Sequence, residues 1–340
     1  MTPPLVSILI PAYNAQEWVA DTIASALAQT WPRKEIVIVD DGSTDTTRDV
    51  LRRYQSKDVR VVSQENQGAA AARNSAFAHC QGDYIQWLDA DDLLGPDKIR
   101  SQLEIGERLS DPNILLSSAW AHFMHRPEAA EFHRTQLWQD LSPVDWIITK
   151  WSHNLHTQTA TWLVSRELTE SAGPWNTKLL GDDDGEYFSR VVLRSRGIHF
   201  VRDARVYYRI VGTSRLSHIG FSNAKLEAQL RGMLLQIGYV RSIEDSPRVR
   251  AAIVQYLQTW LPHFYPERPD IVKQLETLAS EIGGTLRTPQ MNWKYAWIDK
   301  MFGRVAAKRA QLQYNSAKYA VLRSLDKAIH RCRMDDFSAP

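Results

Sequence analysis

The chain has 340 residues, enough for a full α/β domain and a second, smaller element. Lys and Arg number 41 against 39 Asp and Glu, a net charge of +2, which argues against a nucleic-acid partner with its usual demand for a basic excess. Cys80 and Cys332 are the two cysteines, far apart and without CxxC spacing, which argues against a disulfide framework or a cysteine-rich zinc site and fits a reducing cytosol.

The opening MTPPLVSILIPAYN lacks the basic start of a signal peptide, and no stretch approaches the roughly 20 apolar residues that span a bilayer. A cytoplasmic protein is expected, with any membrane contact peripheral and on the inner face. Val6 to Ile10 predicts a buried strand ended by Pro11, and Glu17 to Gln29 a helix with Trp18, Ile23, Ala26 and Leu27 at helical spacing. Glu35 to Val39 is a second strand, Asp45 to Tyr54 a helix, Arg60 to Ser63 a third strand. Gly68 to His79 is an Ala-rich helix and Asp83 to Leu88 a fourth strand. This alternation, with strands apolar on both faces, predicts an α/β fold on a parallel sheet, with ligands beyond the carboxyl ends of its strands. Residues 120 to 180 are less regular and rich in Trp, Asp184 to Ser195 is helical, and helices dominate after about residue 215. The expected organisation is an α/β domain over 1–215 and a helical region over 216–340.

Four constellations lie along the predicted rim. Asp89-Ala90-Asp91-Asp92 follows the fourth strand. Carboxylates so crowded call for a hard divalent cation, Mn²⁺ or Mg²⁺, which can also bridge to a diphosphate; the plain alternative is a helix-capping turn. Asp40-Asp41-Gly42-Ser43-Thr44-Asp45 follows the second strand. Its carboxylate can accept the imide N–H of a uracil or thymine ring, or the segment is only a capped strand–turn–helix connection. Pro11-Ala12-Tyr13-Asn14 offers an aromatic face for stacking a base, against core packing of Tyr13. In Gly68 to Asn74, Arg73 stands one turn into a small-residue helix. There it can reach a phosphate or simply be solvated.

The ordered run PAYN, VDDGSTD, NQGAAAARN and GDYIQWLDADD closely resembles the family 2 glycosyltransferases with the GT-A fold, almost continuously over residues 4 to 105. The resemblance implies a metal-dependent transfer of sugar from a nucleoside-diphosphate sugar, with a UDP-sugar favoured. It implies that Pro11, Tyr13, Asn14, Asp41, Arg73, Asp89 and Ala90 meet the sugar nucleotide. It places Asp91, with Asp89 or Asp92, on the metal. The family's catalytic base lies in an acidic pair that opens a helix. Gly181-Asp182-Asp183-Asp184-Gly185-Glu186 to Arg190 resembles that pattern, with Asp183 in the place of the usual Glu and Asp184 as the base; the departure leaves the register open by one residue. A single base opposite the leaving group implies inversion at the anomeric carbon, and the absence of a Gln-x-x-Arg-Trp segment points to addition of single sugars. Arg209 or Arg215, in the segment that resembles the family's closing strand, could touch the diphosphate or be surface residues.

The expected acceptor is a carbohydrate, a lipid-linked or a protein hydroxyl, with surface polysaccharide or glycoconjugate synthesis as the setting. A nucleotidyltransferase and a non-catalytic sugar-nucleotide-binding protein are the competing readings. The first is disfavoured because PAYNAQEW lacks a Gly-rich basic loop; the second predicts loss of the DxD or of the base. His122 with His125, and His153 with His156, lack a third ligand at zinc spacing. From Thr285 to Met334 eleven Lys or Arg stand against Asp299 and Asp326, and apolar residues recur near helical spacing. Such a segment can lie on an anionic membrane surface or pack on the domain through its apolar face.

Overall fold

A computed structural model describes residues 2–211 and 222–338, and the side chains among these to residue 332. The chain opens with β1 (Val6–Ala12), α1 (Val19–Leu27), β2 (Lys34–Asp41), α2 (Thr47–Tyr54), β3 (Val59–Gln64), α3 (Ala69–Ala78) and β4 (Tyr84–Trp87). β1 to β4 run parallel in the order β3-β2-β1-β4. Val6, Ile8, Leu9 and Ile10 on β1 and Val37, Ile38 and Val39 on β2 are wholly buried, because helices cover both faces. α1 turns Val19, Ile23 and Ala26 inward at helical spacing, and α3 presents Ala72 and Ala76, whose small side chains let it sit close on β1 and β2.

The chain then leaves this sheet through β5 (Leu93–Leu94) and α4 (Lys98–Leu109), and builds a second sheet with β6 (Ile114–Phe123). α5 (Pro143–Ser152), β7 (Val164–Ser165), α6 (Arg166–Ala172) and α7 (Asp183–Arg194) precede the long strand β8 (Gly197–Arg209). β7 adds antiparallel to β4 and closes the first sheet, so that sheet is not wholly parallel as expected. Two paired residues leave no periodic pattern to read. The second sheet has the order β5-β8-β6, and its β6–β8 register jumps between Ser118 and Ala119, from Val201 to Arg205.

The boundary expected near residue 215, and Arg215 itself, lie outside the described residues. Beyond it come α8 (Asn223–Ile243), α9 (Pro247–Phe264), α10 (Pro269–Glu281), α11 (Ala296–Phe302) and α12 (Arg304–Ser338). α8 packs on α7 and α9 on α5. One continuous core therefore joins Trp87, Trp162, Tyr187 and Val191 to Met233, Ile253 and Leu257. Trp146, Trp151, Trp162 and Trp175, from the Trp-rich segment, are buried in it. Among the described residues no helix is long and apolar enough to cross a membrane.

Candidate functional site

The carboxyl ends of β1, β2 and β4 form one rim. After β1 the chain turns at Asn14 (φ 48°), whose Oδ1 accepts from the Thr44 backbone N–H at 2.9 Å, while its own N–H donates to Ser43 Oγ at 3.0 Å. The Ala15 N–H donates to Thr47 Oγ1 at 2.7 Å. The segment after β1 is thus laced to the segment after β2, and Tyr13 is left half-exposed on the rim with a ring face available for stacking. Gly42 makes this turn possible. Its φ is +73°, and a Cβ there would lie 2.7 Å from the Asn66 backbone nitrogen.

Asp41 is almost fully buried. Its Oδ1 accepts from Gln64 Nε2 at 2.8 Å and from the Gln67 N–H at 2.9 Å, and its Oδ2 accepts from the Gly68 N–H at 2.8 Å. The residue expected to accept from a nucleobase therefore first holds the loop that carries Asn66 and Gly68 onto the rim. Its neighbour Asp40 accepts from the Ser43 N–H and from Arg48 Nε at 2.9 Å.

Arg73 does not reach outward to a phosphate. It is buried, its Nη1 donates to Asp183 at 2.7 Å, and its Nη2 donates to Asp89 at 2.8 Å. The guanidinium also lies 4.4 Å over the Trp175 ring, itself stacked on Tyr187 at 4.0 Å. Burial alone would lower the Arg73 pKa, but the fields of Asp183 and then Asp89 outweigh it and hold it above its ordinary value. One cation on α3 thus ties the turn after β4 to the start of α7.

The turn after β4 separates its three carboxylates. Asp89 and Asp91 line the cavity described below. Asp92 faces the interior and is wholly buried: Oδ1 accepts from the Arg209 N–H at 2.8 Å, and Oδ2 accepts from Gln158 Nε2. This removes Asp92 from the residues that could face a bound cation. Arg209 is equally a support and not a diphosphate contact. Its Nε donates to the Asp91 carbonyl at 2.8 Å, its Nη2 pairs with Asp21 at 2.9 Å, and its guanidinium lies 4.5 Å from the rings of both Trp18 and Phe123.

At the start of α7 the three aspartates differ in surroundings. Asp182 has a left-handed backbone (φ 52°) and is held by Gln229 Nε2 at 3.1 Å and Gln236 Nε2 at 2.9 Å, both on Oδ2. Burial, and then the field of Asp184, push its carboxyl up to about 7. Asp183 is buried on Arg73; burial pushes its carboxyl up and the guanidinium pulls it back. Asp184 lies on the cavity wall, its Oδ1 accepting from the Gly185 N–H at 2.9 Å. A Cβ at Gly185 would crowd Asp182 Oδ1, so a larger residue here would have to displace that side chain.

All these elements open on one cavity of about 860 Å³. It brings together Pro11, Tyr13, Asn14, Asp41, Arg73, Asp89, Ala90, Asp91, Asp183 and Asp184 of the expected residues, and excludes Asp92. The facing wall was not legible in the sequence: Lys150, His156, Gln158, Lys225, Gln229 and Trp260 come from α5, the loop after it, α8 and α9. His156 packs against Trp120 and Tyr208, which also takes His122. The donor set suits a hard divalent cation. Asp89 and Asp91 supply carboxylate oxygens on an open wall, and Mg²⁺ or Mn²⁺ needs only one or two such ligands when phosphate oxygens and water complete its shell.

Residues 7–137, which carry β1 to β4 and both acidic turns, match the family model described as glycosyl transferase family 2. TuaG of Bacillus subtilis (strain 168), a glycosyltransferase assigned to teichuronic acid biosynthesis, is 49% identical over 104 residues, 30% of this chain and 41% of TuaG. Chondroitin synthase of Escherichia coli is 45% identical over 103 residues, 30% of this chain and 15% of that protein. The match thus spans less than half the length of either relative. Among solved structures, S. aureus TarS 1-349 in complex with UDP superposes with a TM-score of 0.60 at 16% identity, over 88% of this chain and 92% of that one. The mannosyltransferase PcManGT of Pyrobaculum calidifontis, in complex with GDP-Man and Mn²⁺, gives 0.50 at 18% identity over 96% and 85%. These two are likenesses of fold, the GT-A fold with a helical C-terminal region. The strands that build the rim, within residues 7–137, are thus similar in sequence to glycosyl transferase family 2, and the fold around them is of the GT-A type.

Proposed function

We propose that this protein moves a sugar from a nucleoside-diphosphate sugar to an acceptor hydroxyl with inversion, using Asp184 as the base. The observation that carries the reading is the shared cavity, which Tyr13, Asp89, Asp91 and Asp184 line together and which is large enough for a sugar nucleotide. Tyr13 offers the stacking face for the base, and the loop organised by Asp41 borders it. A uridine nucleotide is favoured, in keeping with the UDP complex of TarS.

Asp89 and Asp91 would hold Mn²⁺ or Mg²⁺, which when bound supplies positive charge against the departing diphosphate; PcManGT, of like fold, carries Mn²⁺. Asp184 takes the acceptor hydroxyl proton as that oxygen bonds to the anomeric carbon. The bond from that carbon to the diphosphate oxygen breaks, and its electron pair leaves with the diphosphate. Arg73 holds Asp183, and with it the first turn of α7, at a set distance from Asp89, so base and donor site are positioned by one side chain. The assignment of TuaG to teichuronic acid biosynthesis and the name chondroitin synthase support an acceptor in polysaccharide or glycoconjugate synthesis.

The test is calorimetric binding of UDP-, GDP- and dTDP-sugars with and without Mn²⁺, followed by turnover of the donor that binds. Asp184→Asn should lower transfer by about 10²–10⁴-fold and leave donor affinity within about threefold. Turnover near the wild-type rate would remove Asp184 from the role of base, and binding to no donor would remove the reading altogether.

A further inference from the structure

The C-terminal helix is turned the opposite way from a helix that packs on its domain. Its polar side meets the body: Asp326 accepts from the His125 N–H at 2.8 Å and pairs with Arg126 at 2.7 Å. Lys327 lies 3.5 Å from Glu17, and Arg323 donates to the Val211 carbonyl. Its apolar side faces out. Tyr314, Val321, Leu322, Leu325 and Ile329 recur at helical spacing on one face of α12 and are all exposed, Val321 and Tyr314 by 59% and 58%. Just before α12, Trp293 is 79% exposed, and Trp297, Met301 and Phe302 are each more than half exposed. A concentration of exposed apolar side chains on this scale marks a surface that is covered in use.

Charge decides what covers it. Between Thr285 and Met334 the two acids are neutralised in place, Asp299 by Arg304 at 2.9 Å and Asp326 by Arg126. Lys294, Lys300 and Lys318 are exposed in the same stretch as the apolar residues. A second copy of the same face would bring these like charges together, whereas anionic headgroups complement them. Indole rings with flanking Lys and Arg also suit the interfacial layer of a bilayer. We infer that α11 and the outward face of α12 dock this protein on an anionic lipid bilayer. Glu17 and Val211, against which α12 rests, line the cavity, so docking holds the cavity rim about one helix diameter, roughly 10 Å, from the lipid surface. This inference does not depend on the transferase reading.

The experiment is co-sedimentation of the full chain with phosphatidylcholine vesicles, with and without about a third phosphatidylglycerol. Binding should require the anionic lipid and weaken at high salt. Leu325→Glu and Ile329→Glu should each lower the partition on the order of tenfold, and Lys294→Glu with Lys300→Glu should lower it and flatten its salt dependence. Because these positions are exposed, melting temperature and circular dichroism should be unchanged. Absence of binding, or equal binding to neutral vesicles at all salt concentrations, would overturn the inference. So would a lipid-free dimer that Leu325→Glu dissociates, which would give the face to a second copy.

Discussion

Replacing Arg73 by Met removes the cation that pairs with both Asp183 and Asp89. Both partners of the Arg73–Asp183 pair are nearly inaccessible, with side-chain exposures of 8% and 9%. Solvent therefore cannot take over when one partner is lost. Breaking a buried pair in this way costs about 3–5 kcal/mol. At about 2.1 cal/mol/K of unfolding entropy per residue, that loss lowers the Tm of a 340-residue chain by roughly 4–7 °C. The size should depend on pH. Without the guanidinium, burial raises the Asp183 carboxyl further above its unfolded value, so the variant binds a proton on folding and its stability falls as pH rises. The deficit against wild type should therefore be larger at pH 8 than at pH 5, because the raised carboxyl is more costly to fold once it has lost its proton. Differential scanning fluorimetry across that range reads both effects. A Tm within about 1 °C of wild type, or a deficit that does not change with pH, would refute the argument that this buried pair holds the two acidic elements together.

Asp182→Asn should flatten the pH dependence of stability. The wild-type carboxyl is raised from 3.8 to about 7, so wild-type stability should fall as pH rises from about 4 to about 7, by on the order of 2–4 kcal/mol, while the amide keeps an acceptor for Gln229 and Gln236 and does not titrate. Urea melts at pH 5 and pH 8 measure the difference, and an unchanged slope in the variant would clear Asp182 of the effect. Asp41→Asn should cost about 1–3 kcal/mol and weaken any nucleotide binding, because an amide NH₂ would face either the Gly68 N–H or the two donors on Oδ1. Chemical denaturation checks the first effect and calorimetry the second. Gly185→Ala should displace Asp182 and with it the first turn of α7, lowering turnover more than donor affinity; equal activity would show that the close approach relaxes without consequence.

The strands and the rim were legible in the chain because each is local. β-branched runs such as Ile36 to Val39 can be buried on both faces only in a covered parallel sheet, and the acidic turns directly follow such runs. The four segments PAYN, VDDGSTD, NQGAAAARN and GDYIQWLDADD are contiguous, so their order alone brought Tyr13, Asp41, Arg73 and Asp89 to one sheet edge. What each side chain does at that edge was decided by partners distant in sequence. Arg73 reads as a cation aimed at phosphate until α7, 110 residues later, brings Asp183 to within 2.7 Å. Asp92 reads as a third metal ligand until β8 and Gln158 take both its oxygens. The outward turn of α12 is of the same kind. Its composition allowed either packing or docking, and pairs such as Asp326 with Arg126 and Lys327 with Glu17 chose which face meets the body. Local pattern determines which elements form and where backbone turns carry charge; the side on which a charged group is satisfied depends on Coulomb and hydrogen-bond partners that only the packed chain brings within a few ångströms.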